Sequence, residues 1–547
     1  MPANSVIDSP VPAGLDIDDK AEVVHIDNST HDEEAIKNGL TGTTILKPHL
    51  GLIATVRAYP KVTFLCFIAA LSAISDGYQI NLSGSIIALP GFINQFGFPT
   101  GANGAMVLNP NHVSLFGTVK VLFTGVGAAL GTWPSDRFGR KPMILAIQIV
   151  LACGTILEMF STTWAHWVGA RTIEGFGNGL NISVTSVYIA ELAPTDGRGA
   201  LIAFYAVWYA IGGFLGSVTL YVVQALPPSL WRRAIWSNWA FTGTACLLWI
   251  LLPETPRYYC QKGREADTKK VLTRLYGKTP GYDVAAEYIM LEREVYDRAQ
   301  ANQERKAGSY TELFKQPNLR RLIVSGLPFF WQITLGVPIV LSYSAYFFKL
   351  AGLKNPFIGT LGVNIVQIFS VAASMFILER VGRRMPLLIG GAICVICVIC
   401  IGGTLKSTGS GVGNGLIALA CIWCCSFSIG NAPLVYTYAS EVATVRLRAK
   451  TTGVAMGVVN CSQIAWMYAT PVMLNSPNVG LSNTAFVYAA AGGIIWFLNF
   501  FFTPEIKGRT FEELDELFER RVPTWKFPRT ETKVDVARKE QAARGQV

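Results

Sequence analysis

Three charged signatures occur twice in this 547-residue chain, about 250 residues apart, each at the end of a long apolar run. The first copy reads PSDRFGRK at 134–141, then Glu191 and Arg198 in ELAPTDGR, then PETPR at 253–257. The second reads ERVGRR at 379–384, then Glu441 and Arg448 in EVATVRLR, then PEIKGR at 504–509. The step from Glu to Arg is seven residues in both copies. This repetition divides the chain into two related membrane halves with matched charges on one rim, the arrangement of a carrier whose halves rock about a central site.

Composition narrows the class. The chain is 51% apolar and aromatic and 15% charged, against about 25% charged in a water-soluble domain. Apolar stretches of about 20 residues, the length that crosses a bilayer, fall near 62–89, 113–133, 143–162, 166–189, 200–222, 234–252, 320–348, 358–378, 386–404, 414–439, 449–473 and 483–503. The expectation is an all-α membrane protein of twelve transmembrane helices in two six-helix halves, 59–257 and 320–503. The intervening 258–319, with EADTKKVLTRLYG and EYIMLEREVYDR, predicts short amphipathic linker helices lying under the bundle. The segment 1–58 is polar and acidic and has no short apolar run behind a basic start, so it predicts a disordered tail and no cleavable signal. A second tail spans 504–547.

Lys and Arg stay on the cytoplasmic side of a membrane. The loop 90–112 has neither, whereas those around 136–141, 198, 257–306, 380–384 and 446–450 are rich in them. Both termini are therefore expected in the cytoplasm, with Arg232 and Arg233 as a local exception. The net charge of +10 then belongs to the inner rim and the tail after 504, and calls for no nucleic-acid partner. Cys394, Cys397, Cys400, Cys421, Cys424 and Cys425 lie inside apolar stretches and read as small packing residues. Cys394 and Cys397 have CxxC spacing but no second pair or His cluster, so no metal or other cofactor is expected. The absence of a nucleotide loop or a Ser/His/Asp grouping argues against an enzyme.

The individual motifs carry a resemblance covering residues 60 to 520. DRFGRK, ARTIEGFGNGL, VYIAELAPTDGRGAL, PETPR, YSAYFFKLAG, ERVGRR and APLVYTYASEVATVRLRAKTTGVA together resemble the sugar porter family of the major facilitator superfamily, particularly fungal hexose and α-glucoside permeases. PETPR with the twin GR(R/K) motifs is the specific combination. The resemblance implies alternating-access import of a sugar or sugar-like solute, a plasma-membrane location, proton symport and a functional monomer. Facilitated or proton-coupled carriage of a non-sugar small molecule (a polyol, a cyclitol acid or another pathway metabolite) is the alternative, with multidrug efflux or nutrient sensing further off.

The candidate residues fall in three groups. Asp136, Arg137, Arg140, Glu191, Arg198, Glu254, Arg257, Glu379, Arg380, Arg383, Glu441, Arg448 and Glu505 stand at helix ends on one rim, and the resemblance implies that they form inter-helix salt bridges that close and open the inner gate. Charges within a membrane are functional candidates by default, which singles out Asp76 and Arg171, with Glu158 and Glu174 as substitutes. The family carries a GYD motif in the first span whose Asp pairs with an Arg in the fourth. Here the text is DGYQ, so Gln79 takes the Asp position and Asp76 lies one turn earlier on the same face. For the solute, alignment with the family points to Gln332, Gln367, Tyr436, Asn364, Asn460 and Gln79. Ala206, Ile333 and Pro338 replace polar residues used by hexose carriers, which predicts a less polar pocket near Trp208, Tyr209, Trp331 and Tyr343.

Overall fold

A computed structural model describes residues 57, 59–99, 106–194, 198–277, 282–307, 310–407, 411–444, 447–507, 509 and 511–536. For 198–200, 203, 298, 301–307, 379, 440, 449, 511 and 512 it describes the backbone alone. The tail expected over 1–58 lies outside the described residues except for Arg57.

All twelve expected spans are helical. The first half consists of Pro60–Ala70 with Ser72–Ser85 (span 1), Pro110–Leu130 (span 2), Arg140–Met159 (span 3), Trp164–Leu192 (span 4), Arg198–Gln224 (span 5) and Asn238–Leu251 (span 6). The second consists of Asn318–Thr334 with Ser344–Leu350 (span 7), Pro356–Val381 (span 8), Arg384–Thr404 (span 9), Val412–Gly430 with Leu434–Glu441 (span 10), Arg448–Asn475 (span 11) and Gly480–Phe502 (span 12). Among the described residues, nine helices are apolar and long enough to cross a membrane on those grounds alone. Spans 4, 7 and 11 fall short for physical reasons. Span 4 buries Arg171, Glu174, Asn178 and Asn181; span 7 is broken by a π turn at Pro338–Ser342; span 11 carries Thr451, Thr452, Asn460, Ser462 and Gln463. Polar helices of this kind are tolerated only where their polar face is turned into protein or a wet cavity.

The helices pack through small residues, as bundles in a lipid solvent do. A Cβ on Gly179 would meet Thr124 O at 2.1 Å and one on Gly127 would meet Phe176 O at 2.3 Å, so spans 2 and 4 touch backbone to backbone. The halves meet at the end away from the charged motifs. Lys349 Nζ donates to Ala88 O at 2.9 Å, Asn364 Nδ2 donates to Ser217 Oγ at 2.9 Å, and a Cβ on Gly84 would lie 1.6 Å from Ser342 O. These contacts join spans 1 and 7 and spans 5 and 8. Arg232, the exception to the loop-charge rule, lies at this far end and donates to Ser161 O at 2.7 Å beyond the C-terminus of span 3. A cation at a helix C-terminus is favourably placed.

The linker forms the helices Pro256–Gln261, Glu265–Tyr276 and Val284–Ala307. Tyr276 packs edge-on against Tyr59 and donates to Leu192 O at 3.0 Å, which holds the linker under spans 1 and 4. The chain after span 12 also docks. Leu514, Leu517, Phe518 and Phe527 are buried, Arg320 Nη2 donates to Val522 O at 2.6 Å, and Arg321 pairs with Asp515. Arg509 reaches Asp535 at 2.5 Å and the carbonyls of Phe527 and Thr530. All eleven cysteines are unpaired thiols. Cys394 and Cys424 are packing residues as expected, but Cys400 is exposed, as are Cys153 and Cys461.

Candidate functional site

The repeated rim motifs have one physical explanation in both halves. Gly139 and Gly382 precede spans 3 and 9 with φ of 101° and 105°, a conformation that favours glycine. The turn exposes the first amides of each helix to a carboxylate arriving from the end of the half. Glu254 accepts from Arg140 N at 3.1 Å and Lys141 N at 3.0 Å; Glu505 accepts from Arg383 N and Arg384 N, both at 3.0 Å. Each PE carboxylate thus caps a helix N-terminus from a distance, satisfying amides that have no intrahelical partner. A side chain on either glycine would meet the carboxylate, at 2.6 Å for Gly139 and 3.0 Å for Gly382.

Around these caps the ion pairs differ. In the first half Arg140 pairs with Asp136 at 2.8 Å and Glu191 at 2.9 Å, and Thr255 Oγ1 donates to Glu191 Oε2 at 2.8 Å. Arg257 is 4.0 Å from Glu191 and 3.3 Å from Glu294 of the linker. In the second half Glu441 lies within electrostatic reach of Arg383 and Arg448 without closing a pair to Arg383. Arg380 is exposed and its carbonyl accepts from Lys507 Nζ at 2.6 Å. Arg137 leans on the Phe138 ring. The side chains of Arg198 and Glu379 lie outside the described residues. The ion pairs formed among the described rim residues of the bundle join helices of a single half. Burial pushes the carboxyls of Glu254 and Glu441 above their ordinary value, with nearby Arg residues, and for Glu254 three backbone amides, acting against that rise.

Inside the first half the expected pairing of Asp76 with Arg171 does not occur. Arg171 is taken by two other carboxylates, Glu158 at 2.7 Å and Glu174 at 3.0 Å. Gln79 Nε2 donates to Glu174 Oε1 at 2.7 Å. Asp76 lies a turn nearer the motif rim. Its Oδ2 accepts from Asn181 Nδ2 at 2.7 Å and Tyr205 Oη at 2.5 Å, while Oδ1 has no hydrogen-bond partner. Displacement by one helical turn is enough to move the carboxylate out of reach of Arg171, because spans 1 and 4 run side by side and successive turns face different neighbours. Lys120 was not singled out by sequence. It is buried in span 2 and its Nζ donates to Gln79 O at 3.1 Å and Ser83 Oγ at 2.8 Å. The signal that could have found it is a lone cation inside a stretch otherwise long enough to span.

In the second half Tyr436 is 58% exposed although it lies within span 10, and it stands within electrostatic reach of Tyr205 and Tyr209 of span 5. Both facts fit a Tyr436 ring on the side of span 10 that is turned toward span 5. Phe329 backs the Tyr436 ring edge-on with centroids 5.1 Å apart. Gln332 and Gln367 are half-buried and neither amide is engaged by another described residue. Asn460 is half-buried, donates to Met456 O at 3.0 Å and abuts Gly125 of span 2. Asn364 is different: both its donors are spent, on Ser217 Oγ and Thr360 O, so it joins the halves. Three of the four aromatics expected near the pocket are placed elsewhere. Trp331 is fully buried and donates to Gly492 O at 2.9 Å; Trp208 packs against Phe67 beside span 1; Tyr343 is buried against Gly117 and Met467 at the far end. Tyr209 alone stands near Tyr436. Among the described residues no group of His, Cys, Asp and Glu is placed to hold a metal.

The profile of the family described as "Sugar (and other) transporter" matches residues 65–518. The chain belongs to that family. This transporter is 27% identical over 531 residues to the MFS transporter fmqE of Aspergillus fumigatus, covering 92% of this chain and 96% of that protein. It is 26% identical over 490 residues to the low-affinity glucose transporter HXT4 of Saccharomyces cerevisiae, covering 86% and 83%. The inward-open xylose transporter XylE of E. coli superposes with a TM-score of 0.68 at 19% identity, covering 83% of this chain and 99% of that one. That likeness establishes the fold, twelve helices in two halves. The protein is a membrane transporter of this family and not an enzyme.

Proposed function

We propose that this transporter imports a sugar or sugar-like solute across the plasma membrane as a monomer, by alternating access, with the motif rim and both termini in the cytoplasm. The halves touch at the far end, Tyr436 stands near Tyr205 and Tyr209, and the unengaged amides of Gln332 and Gln367 would add to a polar surface where a polyol could exchange water for amides and phenols. The caps under spans 3 and 9 hold each half rigid while the halves rock.

Energy coupling is assigned to Asp76. The observation that carries it is one buried carboxylate with a vacant oxygen and no ion-pair partner, bonded to the hydroxyl of Tyr205, which stands near Tyr436 of the other half. A buried anion so placed is stabilised by a proton or by a donor on the solute. Arg171, with both its carboxylates in place, has no part in this step. Expressed in yeast lacking its own sugar carriers, the wild type should accumulate a hexose, α-glucoside, polyol or cyclitol in a saturable manner that a protonophore abolishes. Asp76→Asn should lose uphill accumulation and keep downhill exchange. Wild-type uptake indifferent to pH and protonophore would make the protein a facilitator, the reading favoured by Gln79 in place of a carboxylate. No uptake across the panel, with export of an apolar compound, would overturn sugar import.

A further inference from the structure

The far end, where the halves meet, sets one cation of the second half against a carbonyl of the first. Gly336, with φ of 101°, and the π turn at Pro338–Ser342 break span 7 ahead of its last piece, Ser344–Leu350. That piece is fixed to its own half: Tyr346, Phe347 and Phe348 are buried, and Tyr346 Oη donates to Asn475 Oδ1 of span 11 at 3.0 Å. Lys349 then reaches across, and its Nζ donates to Ala88 O at 2.9 Å. On the other side, span 1 runs out through the 3₁₀ turn Ile86–Ala88. Leu89 is extended with ψ of 135° and Pro90 has no N–H, so among the described residues no backbone amide reaches Ala88 O. Ala88 and Leu89 are 2% and 1% exposed. While the far ends touch, the carbonyl is shut away from water and Lys349 is its donor. A buried carbonyl without a donor costs free energy, whereas a carbonyl in water does not.

We propose that Lys349 is a state-selective latch, which satisfies Ala88 O only while the far ends are closed and so favours that state over the one in which they part; this rests on alternating access, as proposed above. Once the halves swing apart, water reaches the Ala88 carbonyl and the ammonium alike. The bond therefore stabilises one state and is neutral in the other. Removing it shifts a population and leaves the helices of each half as they were. Gly84, one turn back along span 1, supplies the shape for the same contact, because a Cβ there would run into the carbonyl oxygen of Ser342. Glycine permits the closure and Lys349 holds it.

The test needs no knowledge of the solute. In the full chain with the exposed Cys153, Cys400 and Cys461 replaced, spin labels are placed on cysteines introduced at Ser229 and Ser407, exposed at the far end of the two halves. A second pair is placed at Thr132 and Met385, exposed at the rim. Pulsed electron resonance in lipid nanodiscs gives the distance distribution at each end for wild type, K349M, K349R and G84A. K349M should raise the ratio of molecules open to molecules closed at the far end by about tenfold, the scale of one lost hydrogen bond to a charged group, with the rim distance shortening in step. K349R keeps a cationic donor and should follow wild type. A K349M profile equal to wild type while G84A opens the far end would overturn the latch alone, as would K349R shifting as far as K349M. One fixed distance at each end in every variant, G84A included, would overturn alternating access and the latch with it. If K349M yields no folded protein, recovery in K349M/G84A supports the latch, since the open state has no need of the donor, and failure of both overturns it.

Discussion

The two halves share a rim and differ in their interiors. At the rim, Gly139 with Glu254 and Gly382 with Glu505 build the same cap twice. Within the membrane the first half holds Asp76, Lys120, Glu158, Arg171 and Glu174, whereas residues 322–348, 356–378, 385–404, 412–439, 451–475 and 480–502 of the second contain no Asp, Glu, Lys or Arg. A duplicated scaffold has thus kept what stiffens each half and separated what each half does. In the proposed function the first holds the charge on which coupling would depend, and the second offers neutral amides and Tyr436 to a solute.

The sharpest way to break this contrast is to remove an interior residue from each half. Arg171→Met leaves Glu158 and Glu174 buried without their guanidinium, and loss of one partner of a buried ionic cluster costs roughly 3–5 kcal/mol. Gln367→Met should cost less than about 1 kcal/mol, since its amide has no protein partner to orphan. Yield and melting temperature of the two variants read the difference directly. Equal losses would mean that the second half depends on interior polar groups as much as the first.

The rim should behave oppositely. Glu254→Ala and Glu505→Ala each leave two helix-terminal amides without their acceptor, and each should cost roughly 2 kcal/mol. Unequal melting temperatures would show that the repeated caps are alike in geometry only. In the second half, Gln332→Ala should raise the KM for the transported solute by about tenfold, the scale of one lost hydrogen bond, with the pH profile unchanged. A changed profile would place coupling in the second half as well.

The smallest effect concerns rim titration. Burial raises the Glu254 and Glu441 carboxyls, so each holds its proton more firmly in the folded protein than in the unfolded one. Their contribution is full below the ordinary carboxylate value and is lost as pH rises through the raised one. Glu254→Gln and Glu441→Gln should each flatten the decline of melting temperature on that side, whatever constant offset the substitution adds. Profiles parallel to wild type would rule out a titrating rim.

The rim was legible in the sequence because its charges stand at the ends of apolar runs, where position along the chain is enough to place them. The interior was not. Asp76 was found by the cost of a charge in the membrane, yet its partners are Asn181 and Tyr205 and not Arg171, because a single turn along span 1 decides which neighbour a side chain meets. Trp331 and Trp208 illustrate the same limit: their rotation about the helix axis is fixed by Gly492 and Phe67, contacts between segments far apart in sequence. Asn364 reads as a solute ligand in isolation and becomes a tie between halves only once Ser217 is beside it. Lys120 stands out in the sequence by charge alone, but its acceptors, Gln79 O and Ser83 Oγ, belong to span 1 and are brought to it only by the fold.

The distribution of thiols determines how this protein can be watched at work. Of the eleven cysteines, Cys66, Cys394, Cys397 and Cys424 are sealed in the core, and Cys153, Cys400 and Cys461 are exposed on the flanks of spans 3, 9 and 11. Cys260 lies under the rim, half-buried, with its thiol pushed up to about 11 by burial, so little thiolate is present at neutral pH. Once Cys153, Cys400 and Cys461 are replaced, a charged, water-soluble maleimide should find a quiet background in intact membranes. A cysteine introduced at Tyr436 and another at Ala206 would carry spectroscopic probes whose separation reports each swing of the halves, without first stripping the native thiols that pack the helices.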